Sequence, residues 1–222
     1  MFKMVLGVVI STAIYLGINL GTPEPHAKAL DVLQKTAIQL NNNCSGTIVD
    51  KKRRLVVTAF HCVQGYKKDF YHVIDRIIYN PDGTEKTRYD HLAKVVKTNS
   101  KEDLAILEIV TGVELPAEVK LSEDTLKRGD TIFALGNPFG WEYLFSQGTV
   151  LNPRFIADDQ FPSTLRGIDY VAIDHTSYHG SSGSGLVNRR GELVAVHTLG
   201  NGAGFRWAVP VYKVAKLLSF VQ

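Results

Sequence analysis

Short apolar runs separated by turn residues occupy most of this chain, and this spacing limits the folds that it can adopt. The runs are rich in Val, Ile, Thr, Phe and Tyr, with Gly, Asn, Asp and Pro between them, which is typical of antiparallel strands. A loop over residues 115–130, which contains Pro116 and Gly129, divides the runs into two sets. The first set is SGTIV, RLVVTAF, YHVIDRIIY, LAKVVK and LAILEIV, and the second is TIFALG, GTVLN, YVAIDH, SGLVN, ELVAVHT and RWAVPV. We therefore predict an all-β protein with two six-stranded antiparallel β-barrels, at about residues 36–120 and about residues 126–212.

Helices are predicted at both ends of this strand-rich region. Residues 30–40 favour a short helix that leads into the first strand. Near the C-terminus, apolar residues recur at helical spacing, which predicts a short helix packed on the second barrel. These residues are Val211, Val214, Leu217, Leu218 and Val221.

The N-terminus has the pattern of an export segment. Lys3 precedes an uncharged apolar stretch over residues 4–20, and Gly and Pro residues end it. Ala27 and Ala29 then offer small side chains at the positions that signal peptidase reads. We predict that residues 1–29 are a signal peptide, or else a membrane anchor that tethers the chain through residues 4–20, and that residues 30–222 form the exported domain. The protein is then periplasmic or secreted, or anchored in a membrane; a buried helix of the fold is the third interpretation.

Composition and charge exclude several functions. A chain of 222 residues with 45% hydrophobic residues can bury one substantial core or two small ones. The net charge is +3, and the one dense basic run is Lys51 to Arg54, so nucleic acid is not expected as a partner. His175 and His179, together with His197, could suggest a metal pair, but they lie in a pattern typical of a loop rather than on one helix face, and we predict neither metal nor cofactor.

His61 is the candidate general base. It follows a β-branched run in VTAFHC, and a histidine can accept a proton from serine when a carboxylate orients it. Asp103 opens the apolar run DLAILEI and can be buried at the start of a strand. Asp69, Asp75 and Asp90 are weaker candidates, because their mixed surroundings would leave them solvated.

Ser182 is the candidate nucleophile, in the segment HGSSGSGLVN. Glycines at 180, 183 and 185 allow a sharp turn, which would direct the amides of Gly180 and Ser182 inward as an oxyanion hole. Ser181 and Ser184 compete for the same role, and a flexible hairpin turn is the alternative interpretation of the whole segment.

Cys44 and Cys62 are the only cysteines. In an oxidising compartment they can form a disulfide, which closes a loop of about 18 residues and stabilises the chain by about 3 kcal/mol in the chain-entropy model. Two buried free thiols are the alternative.

The segments TAFHC, DLAIL and GSSGSG, in the order His, Asp, Ser, resemble the three motifs of chymotrypsin-like serine proteases, and the match spans Cys44 to Pro210. Within that superfamily the chain is most similar to HtrA-like (Deg) proteases, through GDTIFALGNPFG, SQGTVL, YVAIDH, SGLVNRRGELVAV and WAVPV. The resemblance implies an endopeptidase that acts on proteins or peptides, with Ser182 as nucleophile. It also places Cys44 and Cys62 where animal trypsins have a disulfide.

The chain departs from the family pattern at three places. Phe60 replaces a small residue, Ser181 replaces the aspartate of trypsins, and Gly185 replaces a proline. Without an acid at 181, activation by a new N-terminal amine is not expected. We expect no peptide-binding PDZ module after the protease domain, and therefore no oligomeric cage of the HtrA type. A catalytically silent binding module with the protease fold is the alternative function.

The specificity pocket is predicted from the residues before Ser182 and from the strand AVHTLG, which resembles the histidine-bearing strand of glutamyl endopeptidases. His197 could donate a hydrogen bond to a Glu or Gln side chain at P1, and Arg206 would favour the acid over the amide. The alternative is that His197 only packs in the barrel and that the pocket takes small aliphatic residues. The predicted substrate-binding residues are Thr176, Ser177, His197, Thr198 and Arg206.

Overall fold

The computed structural model describes residues 26–40, 44–64, 71–79, 85–111, 114–200 and 204–221. Twelve strands and two α-helices make up its regular structure. In the first half of the chain these are α1 (Ala27–Thr36), β1 (Ala37–Leu40), β2 (Cys44–Asp50), β3 (Leu55–Ala59), β4 (Tyr71–Tyr79), β5 (Glu85–Asn99) and β6 (Leu104–Ile109). The second half contains β7 (Thr131–Gly136), β8 (Leu144–Ile156), β9 (Asp169–His175), β10 (Gly185–Val187), β11 (Leu193–Gly200), β12 (Phe205–Pro210) and α2 (Val211–Leu218).

The strands close into two antiparallel barrels, which confirms the predicted fold class. The first has the order β1-β2-β3-β6-β5-β4 and the second the order β10-β11-β12-β9-β8-β7. Closure pairs every strand on both sides, so that neither barrel has an exposed edge. The pairing between β3 and β6 is regular, with Ala59 opposite Leu104, whereas β11 pairs with β12 through a register shift between His197 and Leu199 that places Gly200 opposite Arg206.

Each barrel has its own apolar core, and a third cluster of buried side chains joins the two. This joining cluster includes Val57 and Ile106 of the first barrel, Phe133 and Val209 of the second, and Leu33 of α1. Burial of a side chain of this size contributes about 1.5–3 kcal/mol, so the interface between the barrels is a stable base for a site. β3 contacts β6 of its own barrel and also β11 of the second barrel.

The helix at the start of the domain differs slightly from the prediction. Residues 30–40 were expected to lead from helix to strand, and the helix instead begins at Ala27 and ends at Thr36. Ala27–Ala29, which we assigned to signal peptidase recognition, form its first turn, and Ala29 is fully buried. The apolar stretch over residues 4–20 lies outside the described residues. Among the residues that are described, no helix has the length and apolar character needed to span a membrane.

The predicted C-terminal helix is confirmed as α2. Its buried face contains Val214, Leu217 and Leu218, which pack against the cluster between the barrels. Lys213 is buried on the same helix, which the apolar pattern did not predict.

Candidate active site

A cleft of about 880 Å³ lies between the two barrels and brings the predicted base, acid and nucleophile together. His61, Asp103 and Ser182 all line it. They come from segments far apart in the sequence, at the end of β3, the start of β6 and the loop before β10. The three side chains therefore come together only when both barrels are folded and packed against each other.

His61 lies in the 3-10 helix Phe60–Cys62 that follows β3. A disulfide between Cys44 and Cys62 ties this turn to the start of β2. The Phe60 amide donates a hydrogen bond to the Asp103 carbonyl at 3.1 Å, and the Phe60 side chain packs on the core of the first barrel. The bulky residue before His61 thus packs partly on the core of the first barrel and also lines the cleft beside the histidine.

Asp103 holds His61 with both carboxylate oxygens. Its Oδ2 lies 2.8 Å from Nδ1 of His61, and its Oδ1 accepts a hydrogen bond from the His61 amide at 2.9 Å. The Asp103 side chain is 10% exposed, whereas that of His61 is 42% exposed. This pairing fixes Nδ1–H as the donor, so Nε2 is the nitrogen that can accept a proton from the cleft. Of the weaker candidates, Asp90 is exposed on β5, and the position of Asp69 lies outside the described residues.

Ser182 is the most exposed of the three neighbouring serines. Ser181 and Ser184 are 4% and 1% exposed, and the Ser181 hydroxyl accepts a hydrogen bond from the Tyr178 amide. The Ser182 carbonyl is held by the amide of Ser45 at 2.8 Å, and Sγ of Cys62 lies 3.7 Å from the same oxygen. The backbone of Ser182 is thereby fastened to the first barrel, with its side chain in the cleft.

The loop before Ser182 is shaped by two glycines with positive φ. Gly180 has φ +101°, and an added Cβ would lie 2.2 Å from the Asn137 carbonyl oxygen. Gly183 has φ +88°, and its Cβ would lie 2.1 Å from the Ser45 carbonyl oxygen. Side chains at either position would therefore meet both backbone strain and a backbone clash.

Both peptide groups next to Gly180 are anchored. The His179 carbonyl accepts a hydrogen bond from the Phe139 amide at 2.6 Å, and the Gly180 carbonyl accepts one from the Ser45 hydroxyl at 2.8 Å. Within the part of the chain that is described, the amides of Gly180 and Ser182 have no hydrogen-bond acceptor. Two such amides can stabilise the negative oxygen of a tetrahedral intermediate.

Ser45 and Asn137 are site residues that the sequence reasoning missed. Both are fully buried, and the Ser45 hydroxyl accepts hydrogen bonds from the amide and side chain of Asn137, at 3.0 and 3.1 Å. Asn137 also donates to the Ile38 carbonyl, so it connects the second barrel to the first. A polar residue directly after a buried strand such as β7 was the available signal.

The predicted pocket residues fall into two places. Ser177, His197, Thr198 and Arg206 line the cleft with Ser182. Thr176 instead lines two neighbouring pockets, one with exposed aromatic side chains and one with Ser177 and Arg206. The Thr198 hydroxyl is directed to the Trp207 carbonyl at 3.4 Å, which leaves less of it for a ligand.

Arg206 crosses the cleft wall from β12. Its Nε and Nη2 donate hydrogen bonds to the hydroxyl and carbonyl of Ser177, at 2.5 and 2.8 Å. Its side chain lies over Gly200, where an added Cβ would be 2.9 Å from Cδ of Arg206. Its Nη1 donates a third hydrogen bond, to the Phe205 carbonyl at 3.0 Å. These three bonds leave two of the five guanidinium N–H groups for a ligand.

His197 and His175 are buried side by side, with ring centroids 5.4 Å apart. Burial, followed by the nearby charge of His175 and Arg206, lowers the pKa of His197 to about 3. Burial and the charge of Arg206 lower the pKa of His175 to about 4. Both rings are therefore neutral near pH 7, so Arg206 supplies the positive charge beside them.

These two histidines predict a loss of stability in acid. The unfolded chain binds protons at the ordinary pKa of 6.5, whereas the folded chain resists them until about pH 4 for His175 and about pH 3 for His197. As the pH falls below 6.5, the free energy of unfolding should therefore decrease by up to about 1.4 kcal/mol per pH unit for each histidine. Urea unfolding from about pH 7 to about pH 5 measures this slope.

The slope should become flatter in a His175→Gln/His197→Gln variant. His179→Gln is the matched control, because His179 is exposed. An equal slope in wild type and double variant would contradict the assignment of neutral buried rings.

Metal ligation has one candidate group among the described residues, formed by Cys44, His61 and Cys62. Its two cysteines are joined in the disulfide, whereas a cysteine binds a metal ion as a free thiolate.

The site combines an imidazole paired with a carboxylate and a serine in the same cleft, between two six-stranded antiparallel barrels. This is the architecture of chymotrypsin-like serine proteases. The family model described as a trypsin-like peptidase domain matches residues 44–196. The chain belongs to this family of trypsin-like peptidase domains.

Similar proteins carry HtrA-type names. Serine protease HTRA4 of Homo sapiens is 28% identical over 79% of this chain, and serine protease HTRA1 of Xenopus tropicalis is 27% identical over 61% of it. A probable periplasmic serine endoprotease DegP-like of Pseudomonas savastanoi is 30% identical over 54% of the chain. The chain spans 34%, 29% and 25% of these relatives, in the same order. This likeness confirms the expected resemblance to HtrA-like proteases.

The structure explains one departure from the family pattern. The Gly185 amide donates a hydrogen bond to the Thr47 hydroxyl at 2.8 Å, and an added Cβ would lie 2.5 Å from that oxygen. Proline at this position has no amide hydrogen, so the hydrogen bond to Thr47 would be lost, and its ring would clash with the Thr47 hydroxyl. The close contact with Thr47 therefore explains why residue 185 is glycine in this chain.

Proposed function

We propose that this protein is an exported serine endopeptidase that hydrolyses peptide bonds through an acyl-enzyme on Ser182. The observation that carries the proposal is the cleft in which His61, held by both oxygens of Asp103, lies with Ser182. This arrangement provides a base, its orienting acid and a nucleophile.

In the proposed reaction, Oγ of Ser182 attacks the substrate carbonyl carbon while Nε2 of His61 takes the hydroxyl proton. The Nδ1–H donates to Asp103, whose charge stabilises the imidazolium. The amides of Gly180 and Ser182 bind the oxyanion, at a value of about 2.7–4 kcal/mol per donor in other enzymes. His61 then gives the proton to the leaving amine, and water, activated by His61, releases the acid product.

Export is supported by three observations. The N-terminus has the pattern of a signal peptide or anchor, and the disulfide between Cys44 and Cys62 suits an oxidising compartment. One similar bacterial protein is named as probably periplasmic. The proposed location is the periplasm or the extracellular space, with or without a membrane tether through residues 4–20.

For specificity we propose a preference for Glu at P1. Arg206 offers a permanent charge and unused N–H donors at the cleft wall, and a guanidinium can bind a carboxylate in a bidentate manner. His197 lies in the same lining, and its neutral ring can donate one further hydrogen bond. A small aliphatic P1 residue would leave the remaining N–H donors of these groups without an acceptor, which disfavours it.

The alternative function is a binding module that keeps the fold without turnover. A fluorophosphonate probe separates the two, since it reacts with a serine that a base has activated. We expect the full-length chain to be labelled at Ser182, as located by mass spectrometry of its peptides. A folded protein that shows no adduct would contradict the proposed function and favour the binding module.

A further inference from the structure

A buried lysine lies behind the acid of the candidate triad. Lys213 is in α2, and its side chain is 5% exposed. Its Nζ lies 3.3 Å from Oε1 of Glu102, 2.8 Å from Oδ1 of Asp169 and 2.9 Å from the Asp169 carbonyl oxygen. An ammonium has three N–H donors, and three oxygen atoms, two of them from carboxylates, lie around this one. The site is built for a cation, because a buried charge is strongly destabilising when its partners are missing.

The acceptors of Lys213 come from both barrels. Glu102 lies in the turn between β5 and β6 of the first barrel, and Asp169 begins β9 of the second. Asp169 also accepts a hydrogen bond from the Tyr212 hydroxyl. Burial raises the pKa of Asp169, but the hydrogen bonds from Lys213 and Tyr212 outweigh this effect and hold its pKa below the ordinary value. Lys213 is thus fastened to the second barrel by a charged partner.

Glu102 is the residue directly before Asp103, and it is held at several atoms. Its Oε2 accepts a hydrogen bond from Nδ2 of Asn99 at 2.8 Å, and its amide donates to Oδ1 of Asn99 at 3.2 Å. Lys213 holds the other carboxylate oxygen. The turn that contains Asp103 is therefore also held by contacts that do not involve His61.

Asp103 needs such support because its backbone is unusual. Its φ is +52°, in the left-handed region that residues other than glycine rarely adopt. A residue keeps such a conformation only when several contacts enforce it. The two bonds to His61 act on the side chain, and the contacts of Glu102 act on the adjoining backbone.

Tyr170 supports the closeness of these groups. It is fully buried, and burial raises the pKa of its hydroxyl to about 12, with further contributions from the charges of Asp103, Glu102 and Asp169. Three carboxylates thus raise the pKa of one buried hydroxyl, and Lys213 forms ion pairs with two of them.

We propose that Lys213 is a positioning residue for the active site, which joins Glu102 to Asp169 so that Asp103 keeps both carboxylate oxygens on His61. This inference rests on the proposed function, because it takes Asp103 as the group that orients the base. Lys213 touches neither the substrate nor the reacting atoms. It acts through Glu102 and the turn that leads to Asp103.

The test compares three variants of the full-length chain. In Lys213→Met the kcat for a Glu-containing peptide should fall about 10- to 100-fold, the size expected when a catalytic group is slightly misplaced, with little change in KM. The downfield proton NMR signal of the His61 Nδ1–H, assigned by its loss in His61→Gln, should weaken or move. Glu102→Gln keeps the pair between Lys213 and Asp169 and should change kcat and the signal in the same direction. Lys216→Met, at an exposed position of the same helix, is the matched control.

The outcomes separate positioning from a merely structural role. A folded Lys213→Met protein with wild-type kcat and an unchanged Nδ1–H signal would overturn the proposal, even if its melting temperature were lower. If Lys213→Met does not fold, Glu102→Gln decides by the same two measurements. A wild-type protein without turnover contradicts the proposed function instead, and the NMR comparison then decides the inference on its own.

Discussion

Ser182→Ala should lower the rate of hydrolysis of a Glu-containing fluorogenic peptide by about 10⁶-fold, as loss of the nucleophile does in other serine proteases. The reason is that the remaining groups can still bind the substrate and its oxyanion but cannot form the acyl-enzyme. Initial rates measure the effect, and circular dichroism verifies the fold. Ser182 is partly exposed beside the cleft, so removal of its Oγ should leave the core packing intact.

Ser184→Ala is the matched control, two residues along the same loop. The Ser184 hydroxyl is buried, and it has no hydrogen-bond partner among the described residues, so its loss should leave most of the activity. Turnover retained in Ser182→Ala together with turnover lost in Ser184→Ala would show that the nucleophile had been assigned to the wrong serine.

Arg206→Gln should reduce the preference for Glu over Gln at P1 by about 100-fold or more, because a site built around a polar partner discriminates strongly by it. The change removes the charge beside the neutral rings of His197 and His175 while keeping a polar side chain of similar length. The values of kcat/KM for paired peptides that differ only in P1 Glu or Gln measure the effect. The loss should be much greater for the Glu peptide.

Arg189→Gln is the control for this change, since it removes the same charge from an exposed position in the turn after β10. It should leave the ratio between the two peptides as it is in the wild type. If a P1 library shows that the wild type cleaves faster after Val or Ala than after Glu, the role given to His197 and Arg206 is wrong.

The barrels could be predicted from the sequence because the apolar runs and their turn residues are local signals. Runs such as RLVVTAF and LAILEIV have strand length, β-branched residues and clear breaks, and they become β3 and β6. The start of helix α1 at Ala27 was harder to predict. Nothing local separates an alanine at the end of an export segment from one in the first turn of a packed helix.

The site could be predicted where single residues have one chemical use, and not where tertiary contacts define the role. His61, Asp103 and Ser182 stand in distinctive segments, so the sequence singled them out as one group. Ser45 and Lys213 had no such signal, because one is a small polar residue inside a strand and the other a lysine on an amphipathic helix. Their partners are more than 100 residues away, from Ser45 to Gly180 and from Lys213 to Glu102, and the pattern of one segment does not contain such pairs.

Helix α1 has a practical consequence for how this protein is produced. It contacts β7 of the second barrel as well as β2 and β4 of the first, and its own residues Ala29 and Leu33 are fully buried. A recombinant version that starts at the first strand would therefore expose apolar surface on both barrels. The domain to be expressed should therefore begin before Ala27. Cleavage after Ala29 would remove the first turn of α1, the helix that contacts both barrels.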